Sequence, residues 1–258
     1  MVRGLFYNSE PNFIMIPGKG LYIYGPINSR RLGLSLGINL TPCKICSFDC
    51  VYCQAGRTTV RTAERKEYVE AEQVLAALRA WLDEHKDVAG KLRYVTIAGT
   101  GEPALNIKLG EIISEIKKLV QLPVAVITNS SLMVLPAVRK ELLLADLVVP
   151  SMDAVRQEVF EKIDRPVPGT KAAEIVDALV AFRKEYSGKI WLEVMLVRGL
   201  NDSKEDIAEL KKAAERIRPD RIQVNSPVRG TADRGILSLD KAAMQEVLRV
   251  LGPLAEAV

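Results

Sequence analysis

The sequence predicts an α/β fold in which a largely parallel sheet is covered by helices, and three observations carry that expectation. Short apolar, β-branched runs alternate with longer segments whose apolar residues recur at helical spacing. The short runs suit strands buried on both faces, and the segments between them are long enough to serve as parallel crossovers. With 258 residues, 48% of them hydrophobic, the chain can bury one sizeable core, so residues 1–258 read as a single domain.

Residues 1–31, interrupted by Gly18, Gly20, Gly25, Pro11, Pro17 and Pro26, are expected to form a short N-terminal extension, a hairpin or a cover. The first strand is predicted at 32–40. After a cysteine-bearing loop, Val74, Leu75, Leu78, Trp81 and Leu82 mark a helix over 71–85. A strand at 92–98 is followed by a helix over 107–119, with Leu109, Ile112, Ile113, Ile116 and Leu119 on one stripe. A strand at 123–128 leads to a helix over 132–143, which Pro136 restarts or bends, and then to a strand at 146–150. The pattern continues as helix 169–186, strand 190–197, helix 203–217, strand 221–225 and helix 240–251. Ser203, three residues before Asp206, resembles an imperfect capping box. Six strands give a doubly wound sheet or an incomplete barrel. Because eight are not reached, a partial (β/α)6 barrel, an open six-strand arc, is expected in place of a closed one.

No apolar run approaches the roughly 18 residues that span a bilayer, and the N-terminus lacks a secretory pattern, so a cytoplasmic protein without a membrane partner is expected. The formal charge is only +4, yet residues 29–66 carry Arg30, Arg31, Lys44, Arg57, Arg61, Arg65 and Lys66 against Asp49 and Glu64. Such a basic segment suits a carboxylate, a phosphate or a nucleic-acid backbone, and equally an ordinary solvated surface.

All four cysteines lie between Cys43 and Cys53, too close together to staple a domain with disulfides and well placed to hold metal. Cys46, Cys50 and Cys53 form CxxxCxxC directly after the first strand, at the end where α/β proteins bind ligands. Three thiolates can hold three irons of a cubane and leave the fourth open. A four-cysteine zinc knuckle and a four-cysteine electron-transfer cluster are the competing readings of the same loop.

With Tyr52 before its last cysteine, the loop resembles the signature of the radical S-adenosylmethionine (radical SAM) superfamily. That resemblance implies a [4Fe–4S] cluster on Cys46, Cys50 and Cys53. The amino and carboxylate groups of S-adenosylmethionine would chelate the open iron, and reductive cleavage would give methionine and a 5′-deoxyadenosyl radical. It places Tyr52 near the adenine and implies a reducing electron donor as partner. Gly99-Thr100-Gly101-Glu102-Pro103 looks like the family's segment for the cofactor's amino group, with Thr100 interrupting the usual paired glycines. Read directly, Gly101 permits close backbone approach and Glu102 can accept from an ammonium.

Asn129 and Ser130 end the third strand, Ser151 and Asp153 follow the fourth, and Glu193 sits inside the apolar strand IWLEVMLV, where a carboxylate needs a partner or a mouth position. Asn201 and Asn225 close the last two strands. The resemblance implies that Asn129, Ser130 and Ser151 line the cofactor, with Asp153, Glu193, Asn201 and Asn225 as further contacts.

Ser29-Arg30-Arg31-Leu32-Gly33, Asp153, Asp164-Arg165-Pro166 and Gln223-Val224-Asn225-Ser226-Pro227 look like iron–sulfur oxidoreductases related to the wyosine-forming tRNA radical enzymes. Those enzymes hold a second cysteine-bound cluster. This chain has one cysteine beyond the triad, so the tRNA-tricycle reaction is disfavoured. The expected function is radical modification of an unidentified substrate, with RNA or another macromolecule preferred on the basic segment. The alternatives are a radical-generating activase of a protein partner and a non-catalytic electron-transfer module.

Overall fold

A computed structural model describes residues 22–228 and 230–258. Most of the expected N-terminal extension therefore lies outside the described residues. Its last part is a strand, β1 (Ile23–Ser29), antiparallel to β2 (Gly33–Ile38). The turn between them is set locally: Ser29 Oγ accepts from Arg31 N and Leu32 N, both at 3.2 Å, and Gly33 takes φ +69°.

The cysteine loop contains a small parallel pair, β3 (Ile45–Cys46) and β4 (Val60–Arg61). The main alternation then runs α1 (Ala71–Glu84), the short α2 (Lys86–Ala89), β5 (Tyr94–Ile97), α3 (Leu109–Leu119), β6 (Val124–Thr128), α4 (Pro136–Leu142) and β7 (Leu147–Pro150). It continues with α5 (Gln157–Ile163), α6 (Ala172–Glu185), β8 (Lys189–Met195), α7 (Lys204–Ile217), β9 (Arg221–Asn225), α8 (Lys241–Leu251) and β10 (Ala255–Ala257). The six predicted strands are β2 and β5 to β9. The sequence reading missed α5 and the edge strand β10. The helix expected over 132–143 is divided: a 3₁₀ turn spans Ser131–Val134, and Pro136, with no N–H to lose, opens α4. Ser203 caps α7, its Oγ accepting from Asp206 N at 3.1 Å.

The sheet order is β1-β2-β5-β6-β7-β8-β9-β10, parallel from β2 onward. This order decides between the two expected architectures. A doubly wound sheet reverses direction part-way, whereas strands laid down in chain order with right-handed crossovers place every helix on one face and curl the sheet into a partial barrel. Two apolar clusters reflect that geometry. The larger joins the helices to one sheet face, through residues such as Val95, Ile97, Leu192 and Val194. The smaller holds Leu32, Ala125, Leu147, Val149 and Trp191, with no helix residue among them, and is the inner face. By the two-residue period of a strand, Thr96, Glu193, Gln223 and Asn225 share that inner face.

Phe182 of α6 is fully buried and stacks on Tyr186 with ring centroids 4.6 Å apart. Phe182→Ala is expected to cost about 3–5 kcal/mol. Urea unfolding measures this, and an unchanged midpoint would remove α6 from the core's anchors.

Candidate active site at the cysteine loop

β2 delivers the chain to the mouth of the partial barrel, and two clamps hold the cysteine loop there. On one side Glu102 N donates to Ile45 O at 3.0 Å. A Cβ on Gly101 would lie 2.0 Å from that same carbonyl oxygen, so only glycine fits. Thr100, in the position where paired glycines were expected, donates its hydroxyl to Cys43 O at 3.2 Å. On the other side the end of α5 supports the loop: Asp49 N donates to Asp164 O at 3.0 Å and Val51 N to Ile163 O at 2.9 Å. Phe48 meets Phe160 edge to face at 5.4 Å.

The four cysteines are free thiols; Cys46 is buried, Cys50 and Cys53 are half-buried, and Cys43 is exposed. Asn129 Nδ2 donates to Cys46 Sγ at 3.4 Å, the Cys50 thiol donates to Asp164 Oδ1 at 3.4 Å, and Lys44 Nζ donates to Cys53 Sγ at 2.7 Å. Burial first and then Glu102 push the Cys46 thiol up to about 11, and Cys53 adds to the rise. Burial, Asp164, Cys46, Asp153 and Cys53 hold Cys50 well above its ordinary value. Lys44 responds in the opposite sense. Burial alone favours its neutral amine, but attraction and hydrogen bonding to Cys53, with Cys46 and Cys50 adding, raise its pKa.

Glu102 is buried and accepts from Ala104 N at 2.9 Å, Thr128 Oγ1 at 2.7 Å and Asn129 N at 2.7 Å. Burial still raises its pKa against those bonds. Asn129 ties the end of β6 to the loop, donating to Ser47 Oγ at 2.8 Å as well as to Cys46. Beside these groups lies a small recess, lined in part by Phe48, Tyr52, Asn129, Ser151, Asp153 and Asp164. Tyr52 donates its hydroxyl to Asp153, which also accepts from Met195 N at 2.7 Å. Asp153 and Asp164 are buried and hydrogen-bonded to each other. Burial raises both, Asp153 to about 6 and Asp164 well above the usual carboxylate range, so the pair retains a proton where a lone carboxyl would lose it.

The other expected contacts sit around or beneath this group. Ser130, in the left-handed region at φ 69°, donates to Ser151 O at 2.8 Å. Ser151 Oγ donates to Glu193 at 3.2 Å, and Asn225 Nδ2 donates to Glu193 at 2.8 Å. Arg31 Nη1 stands 2.6 Å from Glu193, a charge contact whose N–H is not aligned for a hydrogen bond. Asn201 donates to Asp153 O and Met195 O, each at 2.8 Å, and accepts from Val197 N at 2.8 Å. Its amide is spent on the backbone. The structure thus brings Cys46, Cys50, Tyr52, Cys53, Gly101, Glu102, Asn129 and Asp153 together, and places Glu193, Asn225 and Asn201 as supports. Lys44, Thr128 and Asp164 also belong to the group. Lys44 carried a sequence signal as the one charge between Cys43 and Cys46, and Asp164 as the first residue of the Asp164-Arg165-Pro166 motif.

Residues 40–211 match the family model described as the Radical SAM superfamily. The chain belongs to the radical SAM superfamily. A UPF0026 protein of Synechocystis sp. is 32% identical over 80% of this chain and 76% of its own length, and the chain belongs to that family too. A protein of Brachyspira hyodysenteriae named GTPase Obg is 37% identical over 87% of this chain, which spans only 32% of that protein. A probable dual-specificity RNA methyltransferase of Endomicrobium trichonymphae is 29% identical over 70% of this chain and 51% of its own length. A radical SAM methyltransferase from Sphaerobacter thermophilus superposes with a TM-score of 0.62 at 15% identity, over 87% of this chain and 65% of that one, a likeness of fold. The UPF0026 relatives are distinct from the wyosine-forming enzymes. Radical SAM proteins are enzymes whose cofactors are a [4Fe–4S] cluster and S-adenosylmethionine, and they need a reductant.

The residues present fit that group by the chemistry of the donor set. As the side chains stand, no three His, Cys, Asp or Glu of the described residues form a metal-holding set, because each thiol points to a separate partner. Yet Cys46, Cys50 and Cys53 share one loop that both clamps hold, and burial opposes loss of the proton from Cys46 and Cys50. Thiolates that burial and mutual repulsion disfavour need cationic charge among them, which irons supply. Among the described residues no helix is long and apolar enough to cross a membrane.

Gly101→Ala is expected to push Ile45 and the adjoining Cys46 away from the barrel mouth and to destabilise the chain by about 1–3 kcal/mol. An unchanged unfolding midpoint together with unchanged iron uptake on reconstitution would refute the clamp.

Proposed function

We propose that this chain reductively cleaves S-adenosylmethionine at Cys46, Cys50 and Cys53 and directs the resulting radical to a macromolecular substrate, RNA first. The observation that carries this reading is that Cys46, Cys50 and Cys53 share one loop that Glu102 N and the end of α5 hold at the barrel mouth, beside a recess lined by Tyr52, Asn129 and Asp153. When bound, the cluster and S-adenosylmethionine supply one-electron chemistry that yields a carbon-centred radical.

The chain's own residues bind and orient. Cys46, Cys50 and Cys53 are the proposed cluster ligands, while exposed Cys43 stands outside the triad. A carboxylate has about four acceptor sites. Glu102 uses three on Ala104, Thr128 and Asn129, which leaves one for the cofactor's ammonium. Tyr52, Asn129, Ser151 and Asp153 line the recess proposed for the adenosyl part, with Ser130, Glu193, Asn225 and Asn201 fixing them from behind.

Preference for RNA rests on exposed Arg61 and Lys66, which follow the cysteine loop in the chain, and on similarity to a probable RNA methyltransferase. Ion pairing tempers it, because Arg57 and Arg65 of the same segment pair with Asp49, Asp233 and Glu141. Anaerobic assays of 5′-deoxyadenosine with fractionated RNA and with peptides distinguish RNA from the protein-activase reading. Stimulation by peptides alone would reverse the preference.

Serine at Cys46, Cys50 or Cys53 is expected to lower cleavage more than about 100-fold, beyond the 10–100-fold typical of residues that only support a metal ligand. Cys43→Ala is expected to keep both iron content and cleavage. Loss of the cluster from Cys43→Ala, measured by iron analysis and spectroscopy, would overturn the three-cysteine assignment.

A further inference from the structure

Lys44 lies two residues before Cys46, and its carbonyl is pinned to the start of β4 by Thr59 N at 2.9 Å and Val60 N at 3.2 Å. The fixed backbone carries a half-buried side chain whose ammonium donates to Cys53 Sγ at 2.7 Å. Among the described residues Lys44 forms no ion pair with a carboxylate, unlike Arg57 and Arg65 of the same segment. Glu102, Asp153 and Asp164 place negative charge near Cys46 and Cys50, while Arg165, a second cation near Cys50, is committed to Asp233 at 2.6 Å. Lys44 is thus a cation directed at a sulfur of the triad and not committed to a carboxylate.

We propose that Lys44 is a positioning residue for reduction, acting through Cys53 to raise the potential at which the cluster accepts its electron. This rests on the assignment of Cys46, Cys50 and Cys53 as ligands. Adding one electron makes a cluster more negative, so a nearby fixed cation stabilises the reduced form more than the oxidised one. An N–H···S hydrogen bond to a ligand sulfur acts in the same direction. The electron comes from an external reductant, no bond at Lys44 is made or broken, and its protons stay in place. The positive charge offsets the buried carboxyls, which by themselves oppose electron entry.

The test reconstitutes wild type, Lys44→Gln, Lys44→Met and Lys44→Arg with iron and sulfide under anaerobic conditions. Each is titrated with dithionite without S-adenosylmethionine, and the reduced cluster is followed by electron paramagnetic resonance. All four are expected to hold the cluster. At the wild-type midpoint, the reduced-to-oxidised ratio of both neutral variants is expected to fall about tenfold, a shift of about 59 mV for a one-electron couple. Lys44→Arg should stay close to wild type. Cleavage by the neutral variants should be slow with a weak reductant and recover with a stronger one.

Unmoved potentials in clustered neutral variants overturn the proposal. If cofactor affinity falls at the same time, Lys44 belongs to the S-adenosylmethionine site instead. Loss of the cluster from both neutral variants but not from Lys44→Arg overturns tuning in favour of an assembly role. A wild-type chain that takes up no cluster overturns the ligand assignment as well, so the two failures are distinguishable.

Discussion

Gly101 has no side chain because the carbonyl of Ile45 occupies the place a Cβ would take. Much of the site depends on that close approach. It lets Glu102 N bond Ile45 O, which holds β3, and with it Cys46, against the end of β5. The same backbone step sends the Glu102 side chain inward to collect Thr128 and the Asn129 amide from β6. Asn129 then reaches back to Ser47 and Cys46. One glycine thus joins the cysteine loop and two adjacent strand ends into a closed circuit of hydrogen bonds. Relaxing any part of that circuit would leave a buried polar group unpaired, at a cost of about 1–3 kcal/mol.

The second support comes from α5, a seven-residue helix. Its end offers the carbonyls of Ile163 and Asp164 to the loop backbone, while the Asp164 side chain accepts the Cys50 thiol and meets Asp153. The buried carboxyl pair is a charge problem as well as a brace. Two carboxylates side by side, with thiols close by, favour retention of protons until cationic charge is supplied. Lys44 brings a positive charge to the same loop at Cys53, and Arg165 directly follows Asp164 in the chain.

The basic stretch over residues 29–66 changes meaning once folded. Arg31 turns into the barrel to balance Glu193, a carboxylate on an otherwise apolar strand. Arg57 and Arg165 converge on Asp233 at 2.7 and 2.6 Å, and Asp233 N also donates to Val51 O at 3.0 Å, so these cations tie the segment after β9 to the cysteine loop. Much of what reads as positive surface is internal fastening. This narrows the cations open to an anionic partner to exposed residues such as Arg30, Arg61 and Lys66.

The sequence by itself determined the alternation of strands and helices, the parallel sheet and the thiol triad, because these rest on local period and spacing. The stripe Val74, Leu75, Leu78 and Trp81 is buried as its period required, and Ser203 caps the helix its type suggests. The division at Pro136 was also written locally, in the missing N–H of one residue. Whether the sheet reversed or curled was not, since strand order depends on pairings between distant segments. Nor could local pattern tell that Asn201 would be consumed by Asp153 O and Met195 O, that Asp164 would meet Cys50 across 114 positions, or that Arg31 would reach Glu193. Those partners are chosen by which strand ends meet at the barrel mouth, and long-range packing settles that because buried polar groups must find partners wherever the fold places them.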